Sequence, residues 1–161
     1  TMRRYFINYY IEEFRTTLFR QTMFAEFEML THKEVENGGV LTAEWMCKLY
    51  NDLNHQYFGS ALAPDEYIQY EWARIPHFYR AFYVYQYATG YSAATAISAK
   101  ILAEGEAARK NYIEFLKSGS SNDPVELLKI AGVDMSSPEP IRMAMETFKG
   151  LVEKLEQLMQ A

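Results

Sequence analysis

Arg3-Arg4-Tyr5-Phe6-Ile7-Asn8-Tyr9-Tyr10-Ile11-Glu12-Glu13-Phe14-Arg15-Thr16-Thr17-Leu18-Phe19-Arg20-Gln21-Thr22-Met23-Phe24-Ala25-Glu26-Phe27-Glu28-Met29-Leu30-Thr31-His32 decides the fold. Phe6, Tyr10, Phe14, Thr17, Phe24, Phe27 and Met29–Leu30 recur near the helical period, and no Gly or Pro interrupts the run. A strand would alternate every second residue; this run keeps the longer period, so it predicts one long helix from Arg3 to about His32. The Asn37-Gly38-Gly39 turn follows it.

The rest of the chain reads in the same way. Thr42 can cap a second helix over Ala43 to about Phe58, which Gly59 stops. Ala63-Pro64-Asp65 is a loop, and a short helical or irregular piece carries Tyr67, Tyr70 and Trp72. Pro76 suits the first turn of a third helix running to Ala103, near Gly105. Its second half is rich in Ala88, Gly90, Ala93, Ala94, Ala96 and Ala99, small side chains that suit a central buried helix. A fourth helix covers roughly Glu106 to Lys117 and ends at Ser118-Gly119-Ser120-Ser121. Pro124 opens a short helix to Ile130, closed by Ala131-Gly132, and Pro138 and Pro140 start the last one, to Met159. With no sustained alternation and no internal repeat, the fold class is all-α, and residues 1–161 are expected to form a single helical domain.

Composition narrows the function classes. Hydrophobic residues at 49% and charged residues at 23% give an ordinary globular balance for 161 residues, enough for one sizeable core. Aromatics are abundant at 16%, which serves helix packing or a peptide-binding groove. A net charge of -5 without a basic stripe argues against nucleic acid as a partner. No apolar run approaches the ~20 residues of a membrane span. Cys47 is alone, so there is no disulfide framework, which fits a reducing, cytoplasmic setting. Thr1-Met2-Arg3-Arg4-Tyr5 shows neither a signal peptide nor a helix start, so the chain reads as beginning within a domain, as the C-terminal piece of something longer.

Candidate chemistry concentrates in Arg74-Ile75-Pro76-His77-Phe78-Tyr79-Arg80-Ala81-Phe82-Tyr83-Val84-Tyr85-Gln86-Tyr87-Ala88-Thr89-Gly90. Imidazole and phenol are neutral donors suited to a carbonyl oxygen as it becomes an oxyanion. On one continuous helix His77, Arg80, Val84, Tyr87 and Tyr91 would share a broad face, and Tyr79, Tyr83 and Gln86 a second. The ordinary alternative is a Tyr-rich core helix with its hydroxyls satisfied.

Elsewhere the signals are thinner. Glu28, His32 and Glu36 are spaced four apart and could ligate a metal, against the plainer account of a solvated helix end. Asp52 and His55 have the spacing of half a di-iron site, in one copy only. Cys47 beside Lys48 reads as a small buried hydrophobe rather than a nucleophile. Glu26 among phenylalanines could be a buried carboxylate; alternatively the aromatic face packs inward while Arg20 and Glu28 face water or pair. There is no His-Glu-x-x-His, no Gly-x-Ser-x-Gly and no Gly-rich phosphate loop.

Several separate motifs resemble one family. They are Thr17-Leu18-Phe19-Arg20-Gln21-Thr22-Met23-Phe24-Ala25-Glu26-Phe27-Glu28, then Glu71-Trp72-Ala73-Arg74-Ile75-Pro76-His77-Phe78-Tyr79 with Phe82-Tyr83-Val84-Tyr85-Gln86-Tyr87-Ala88-Thr89-Gly90, and then Tyr112-Ile113-Glu114-Phe115-Leu116-Lys117-Ser118-Gly119, continuing to Ala131-Gly132-Val133-Asp134-Met135. In family order they are similar to the oligoendopeptidase F group of the thimet-oligopeptidase-like zinc metallopeptidases. The resemblance implies the multi-helix C-terminal part of a zincin-like helical oligopeptidase that hydrolyses short peptides in a deep channel. It implies a zinc held by His-Glu-x-x-His and a further Glu, upstream of this region. This chain lacks those ligands and the general-base Glu, so alone it is expected to be inactive and without catalytic zinc. Its implied partners are short peptides and the zinc-bearing N-terminal part of the same protein; the fragment alone is expected to self-associate through an exposed aromatic surface.

The resemblance also implies roles on the substrate side. His77 matches the family histidine after Ile-Pro that contacts the substrate backbone. Tyr87, ten residues on, is the first choice for the phenol that stabilises the tetrahedral intermediate, and Tyr83 the second. Tyr79 and Tyr85 are expected wall residues. The rival reading is a standalone helical interaction domain derived from the peptidase without its catalysis. A di-iron or haem bundle, resting on Asp52 and His55, is a third.

Overall fold

The computed structural model describes residues 2–63 and 65–160, so Pro64 of the expected loop lies outside the described residues. Every regular element among them is helical. They are α1 (Met2–Glu13), a π-helical turn (Phe14–Phe19), α2 (Arg20–Glu36), α3 (Ala43–Phe58), two 3-10 turns (Ile68–Arg74 and Pro76–Tyr79), α4 (Tyr85–Glu104), α5 (Glu106–Ser118), α6 (Pro124–Ile130) and α7 (Glu139–Gln160). The chain folds as two compact units, Phe19–Ala88 and the remainder.

The first helical run is as long as its sequence predicts but is not uniformly α. Its buried positions step from Phe14 to Leu18, then to Met23, Phe24, Phe27 and Glu28. The π turn at Phe14–Phe19 carries one more residue in each hydrogen-bonded ring than an α turn does. Phe6, Tyr10 and Met29, members of the helical-period pattern, are more than half exposed.

In the unit Phe19–Ala88, α2 and α3 pack around Met23, Phe24, Phe27, Tyr50, Leu53, Ile75 and Val84. The Thr42 side chain caps α3 by accepting from the Trp45 N–H at 3.2 Å. Gly59 ends the helix with a φ of 71°, which a residue without Cβ adopts freely. The first 3-10 turn is pinned by Glu71. Its carboxylate accepts from Arg20 Nη2 at 2.5 Å and Tyr50 Oη at 2.7 Å, and from Arg74.

Here one expectation fails. Pro76 does not open a helix to Ala103. It starts a single 3-10 turn, the backbone extends at Arg80, and Phe82 takes the left-handed conformation with a φ of 58° before α4 begins at Tyr85. For a bulky residue that conformation costs roughly 1–2 kcal/mol. Tertiary contacts offset it: the Phe82 N–H donates to Glu28 Oε1 at 2.8 Å, and the Phe82 ring packs on His32 at 4.6 Å between centroids.

The other unit brings α1 against α7 and α5 against α6. Phe14 meets Tyr91 edge-on at 5.0 Å and Phe148 at 5.5 Å. Ala93, Ala96 and Ile97 of α4 pack with Ala131 and Val133, so the small residues do admit close neighbours. Only one face of α4 is buried, however; Gly90 and Ala94 line an open apolar groove of about 500 Å³ with Tyr112 and Phe115.

Candidate functional site

The break between the second 3-10 turn and α4 assembles the site. On one continuous helix, His77 and Tyr87 would stand ~15 Å apart along the axis. Instead the chain doubles back, and Tyr87 Oη lies 3.4 Å from His77 Nε2 and donates to Tyr83 Oη at 3.1 Å. The His77 and Tyr83 rings stack at 5.8 Å with planes 4° apart, and Tyr87 meets both edge-on. The Arg80 guanidinium sits 4.8 Å from the Tyr83 ring centroid, a cation–π contact on the ring that also stacks with His77. Two phenols and an imidazole thus converge on one point open to solvent; Tyr87 is 37% exposed.

The electrostatics keep the Tyr87 phenol protonated. The hydrogen bond with Tyr83 holds the Tyr87 phenol above its usual value, with slight desolvation adding and Arg80 opposing. Tyr87 is therefore a neutral donor throughout the physiological range.

Tyr79 does not join the cluster's ring contacts. Tyr79 is 88% exposed and lies at a cavity of about 220 Å³, whose lining includes Phe27, Glu28, His32, Trp72 and Phe78. Tyr85 opens α4 and is half exposed. Phe82 and Glu28 take part in building the site, and spacing alone did not single them out for it; Arg80, read from spacing on the His77 face, also takes part. Glu28 was weighed as a metal ligand or a water-facing residue; it is buried and holds a backbone amide. The clue was its phase, next to Phe27 and one turn after Phe24.

The family comparison is now decisive. The model of Peptidase family M3 matches residues 3–147. The chain belongs to peptidase family M3. Among the M3 relatives, it is 54% identical over 98% of its length to Oligopeptidase PepF of Bacillus subtilis (strain 168), covering 23% of that protein. It is 45% identical over 96% of its length to the plasmid oligoendopeptidase F of Lactococcus lactis subsp. cremoris, covering 26% of it. The crystal structure of oligoendopeptidase-F from Enterococcus faecium superposes with a TM-score of 0.95 at 46% identity, over 99% of this chain and 30% of that one. The chain therefore spans about a quarter of the length of these curated M3 relatives.

The helical architecture is that of the family. Of the metal candidates weighed from sequence, Asp52 pairs with Lys48 at 2.5 Å, and His55 Nδ1 lies 2.8 Å from the Asn51 carbonyl. Among the described residues no group of three or more His, Cys, Asp or Glu is placed to hold an ion. Cys47 is buried and accepts weakly from Trp72 Nε1 at 3.5 Å, a packing role. Glu26 accepts from Tyr57 Oη at 2.7 Å, and burial followed by that bond pushes the Tyr57 phenol upward. No helix among the described residues is long and apolar enough to cross a membrane.

Proposed function

We propose that this chain is the substrate-binding and transition-state-stabilising part of a zinc metalloendopeptidase that hydrolyses short peptides. The convergence of Tyr87, Tyr83 and His77 at an open point carries the reading. Membership of family M3, with relatives named as oligopeptidases, supports it. In this reading the zinc and its ligands belong to residues outside this chain, which alone does not hydrolyse peptides.

The chain's own contribution is a polarised hydrogen-bond donor. A phenol has one proton. In the resting cluster Tyr87 directs it at Tyr83; with substrate bound, Tyr87 turns it toward the carbonyl oxygen, and Tyr83 donates to Tyr87 in its place. Charge growing on that oxygen strengthens the bond, so the interaction favours the transition state over the ground state. His77, stacked on Tyr83, holds the peptide in register, and Tyr79 and Tyr85 form walls. Removing Tyr87's hydroxyl from the complete protein tests the assignment, since a transition-state donor lowers kcat and leaves KM nearly unchanged.

The other proposed contact is with the rest of the same protein. Tyr5, Phe6, Tyr9 and Tyr10 on α1 are all at least half exposed, an aromatic surface suited to a covering partner. The isolated chain is expected to self-associate through it; a monomer at high concentration in the ultracentrifuge would count against that surface.

A further inference from the structure

We propose that Glu28 is a positioning residue of this site: its buried carboxylate holds the left-handed turn at Phe82 that brings His77 and the two tyrosines together. The proposal deepens the reading of Tyr87 as the oxyanion donor and rests on it.

Three observations lead there. Glu28 is only 4% exposed, and an unpartnered carboxylate at such a position would be strongly disfavoured. Its Oε1 instead accepts from the N–H of Phe82, a contact between positions 54 residues apart in the chain. Phe82 is the described non-glycine residue with positive φ, so its backbone adopts this shape only because its surroundings require it. That residue lies between the 3-10 turn that carries His77 and the helix that carries Tyr87.

The consequence is geometric. If the Phe82 amide is released, φ relaxes to a negative value and the segment Arg80–Val84 redirects. Val84, fully buried, anchors the start of α4 from below. The freedom therefore falls on Arg80, Tyr83 and His77, and Tyr87 loses the two neighbours that orient its hydroxyl. The 3.4 Å approach of Tyr87 to His77 and the stacking of His77 on Tyr83 would both be lost. Glu28 touches no member of this trio directly. It acts through the Phe82 backbone, and a lost position of ~1 Å is enough to lower a rate by orders of magnitude.

Charge is not what the contact needs; an acceptor at that place is. Glu28→Gln keeps an acceptor oxygen of the same reach. Glu28→Asp keeps the charge and withdraws the oxygens by one methylene. Glu28→Ala removes them. The positioning role predicts the order wild type ≈ Gln > Asp > Ala in kcat, with any rise in KM following the same order because His77 moves as well. A role for the negative charge, at substrate or in stability, predicts Asp above Gln.

The experiment uses the complete protein and an internally quenched short peptide. Glu28→Ala should lower kcat at least tenfold. In a Tyr87→Phe background the same change should add little, because the donor it positions is already gone. If Glu28→Ala does not fold, the Gln and Asp variants carry the same ordering. A second readout does not depend on turnover: selectively labelled histidine followed by NMR, with the His77 signal assigned by its loss in His77→Gln. Glu28→Ala or Glu28→Asp should move the His77 ring signals, and Glu28→Gln should leave them in place.

Unmoved His77 signals, kcat values within twofold of wild type, or a loss that simply multiplies with that of Tyr87→Phe would each overturn the proposal. If Tyr87→Phe itself turns over at the wild-type rate while the His77 signals follow the Gln, Asp, Ala order, the positioning role stands and the assignment of Tyr87 falls.

Discussion

The unit Phe19–Ala88 contains two polar clusters built from similar residue types but satisfied in opposite ways. Around Glu71, a carboxylate that is 8% exposed collects Arg20, Arg74 and Tyr50, and the phenol's proton is committed to the carboxylate. Burial pushes the Tyr50 phenol far up, and the Glu71 bond adds to it. Around His77, Tyr87 donates its one proton to Tyr83 and lies 3.4 Å from the imidazole Nε2, with no carboxylate among the three. The first cluster has no vacancy for a ligand; it joins the 3-10 turn Ile68–Arg74 to α2 and α3. The second is held together by weaker bonds at longer distance, and a stronger acceptor can displace them. A transition-state oxyanion is such an acceptor. Exposure and weak satisfaction distinguish a site from a brace built of the same parts.

The largest test of that contrast is Tyr87→Phe in the complete protein. We expect kcat to fall ~100-fold or more, the usual effect of deleting one oxyanion donor, with KM little changed. A rate within a few-fold of wild type would remove Tyr87 from the role. Tyr83→Phe should cost about tenfold, since Tyr83 acts on the oxyanion through Tyr87. If the larger loss belongs to Tyr83→Phe, the two phenols exchange roles.

The brace should respond in stability instead. Glu71→Gln leaves Arg20 without its charged partner in a partly buried place. We expect about 2 kcal/mol of destabilisation, the scale of a hydrogen bond to a charged group, seen as a lower urea midpoint. Turnover per folded molecule should stay within a few-fold. A kcat loss on the scale of Tyr87→Phe would mean that the two clusters are not separate.

The same carboxylate sets an acid limit. Burial alone would raise the Glu71 carboxyl, but hydrogen bonds from Arg20 and Tyr50, and the charges of Arg20 and Arg74, hold it below the usual 4.5. A carboxyl lowered in the folded state contributes stability that is fully present above its unfolded value. That stability is lost as pH falls through the folded one. Wild type should therefore lose stability below about pH 4.5 more steeply than Glu71→Gln. Parallel acid limbs for the two would show that Glu71 is not the titrating group.

What the sequence carries about this fold depends on where each element gets its instructions. Thr42 before Ala43, Gly59 after Phe58, and Pro124 before a short apolar run are local signals, and α3 and α6 begin and end with them. The turn at Arg80–Val84 has no such signal. Pro76 is a good helix opener, no Gly marks the reversal, and the tyrosine spacing suits a helix. The deciding contact comes from Glu28 in a distant helix, and one sequence does not display it. For the same reason helical spacing puts His77 and Tyr87 on one face and Tyr83 on another; it is the break in the helix that brings all three together.

The smallest effect tests whether local and distant instructions are coupled. Thr42→Ala removes the cap at the Trp45 N–H, a bond exposed to water, and should cost about 1 kcal/mol or somewhat less. Thr42→Ser should restore it. Taken as a cap alone, Thr42 has no bearing on catalysis. Leu41 on one side of it and Met46 just inside α3 both line the cavity that contains Glu28. If fraying of this first turn loosens that cavity, it also loosens the grip of Glu28 on Phe82, and kcat falls along with stability. Unchanged kcat in Thr42→Ala at temperatures where the protein stays folded would show that the turn at Phe82 tolerates a looser α3. A falling kcat, restored by serine, would make the helix cap the outermost member of the structure that shapes the site.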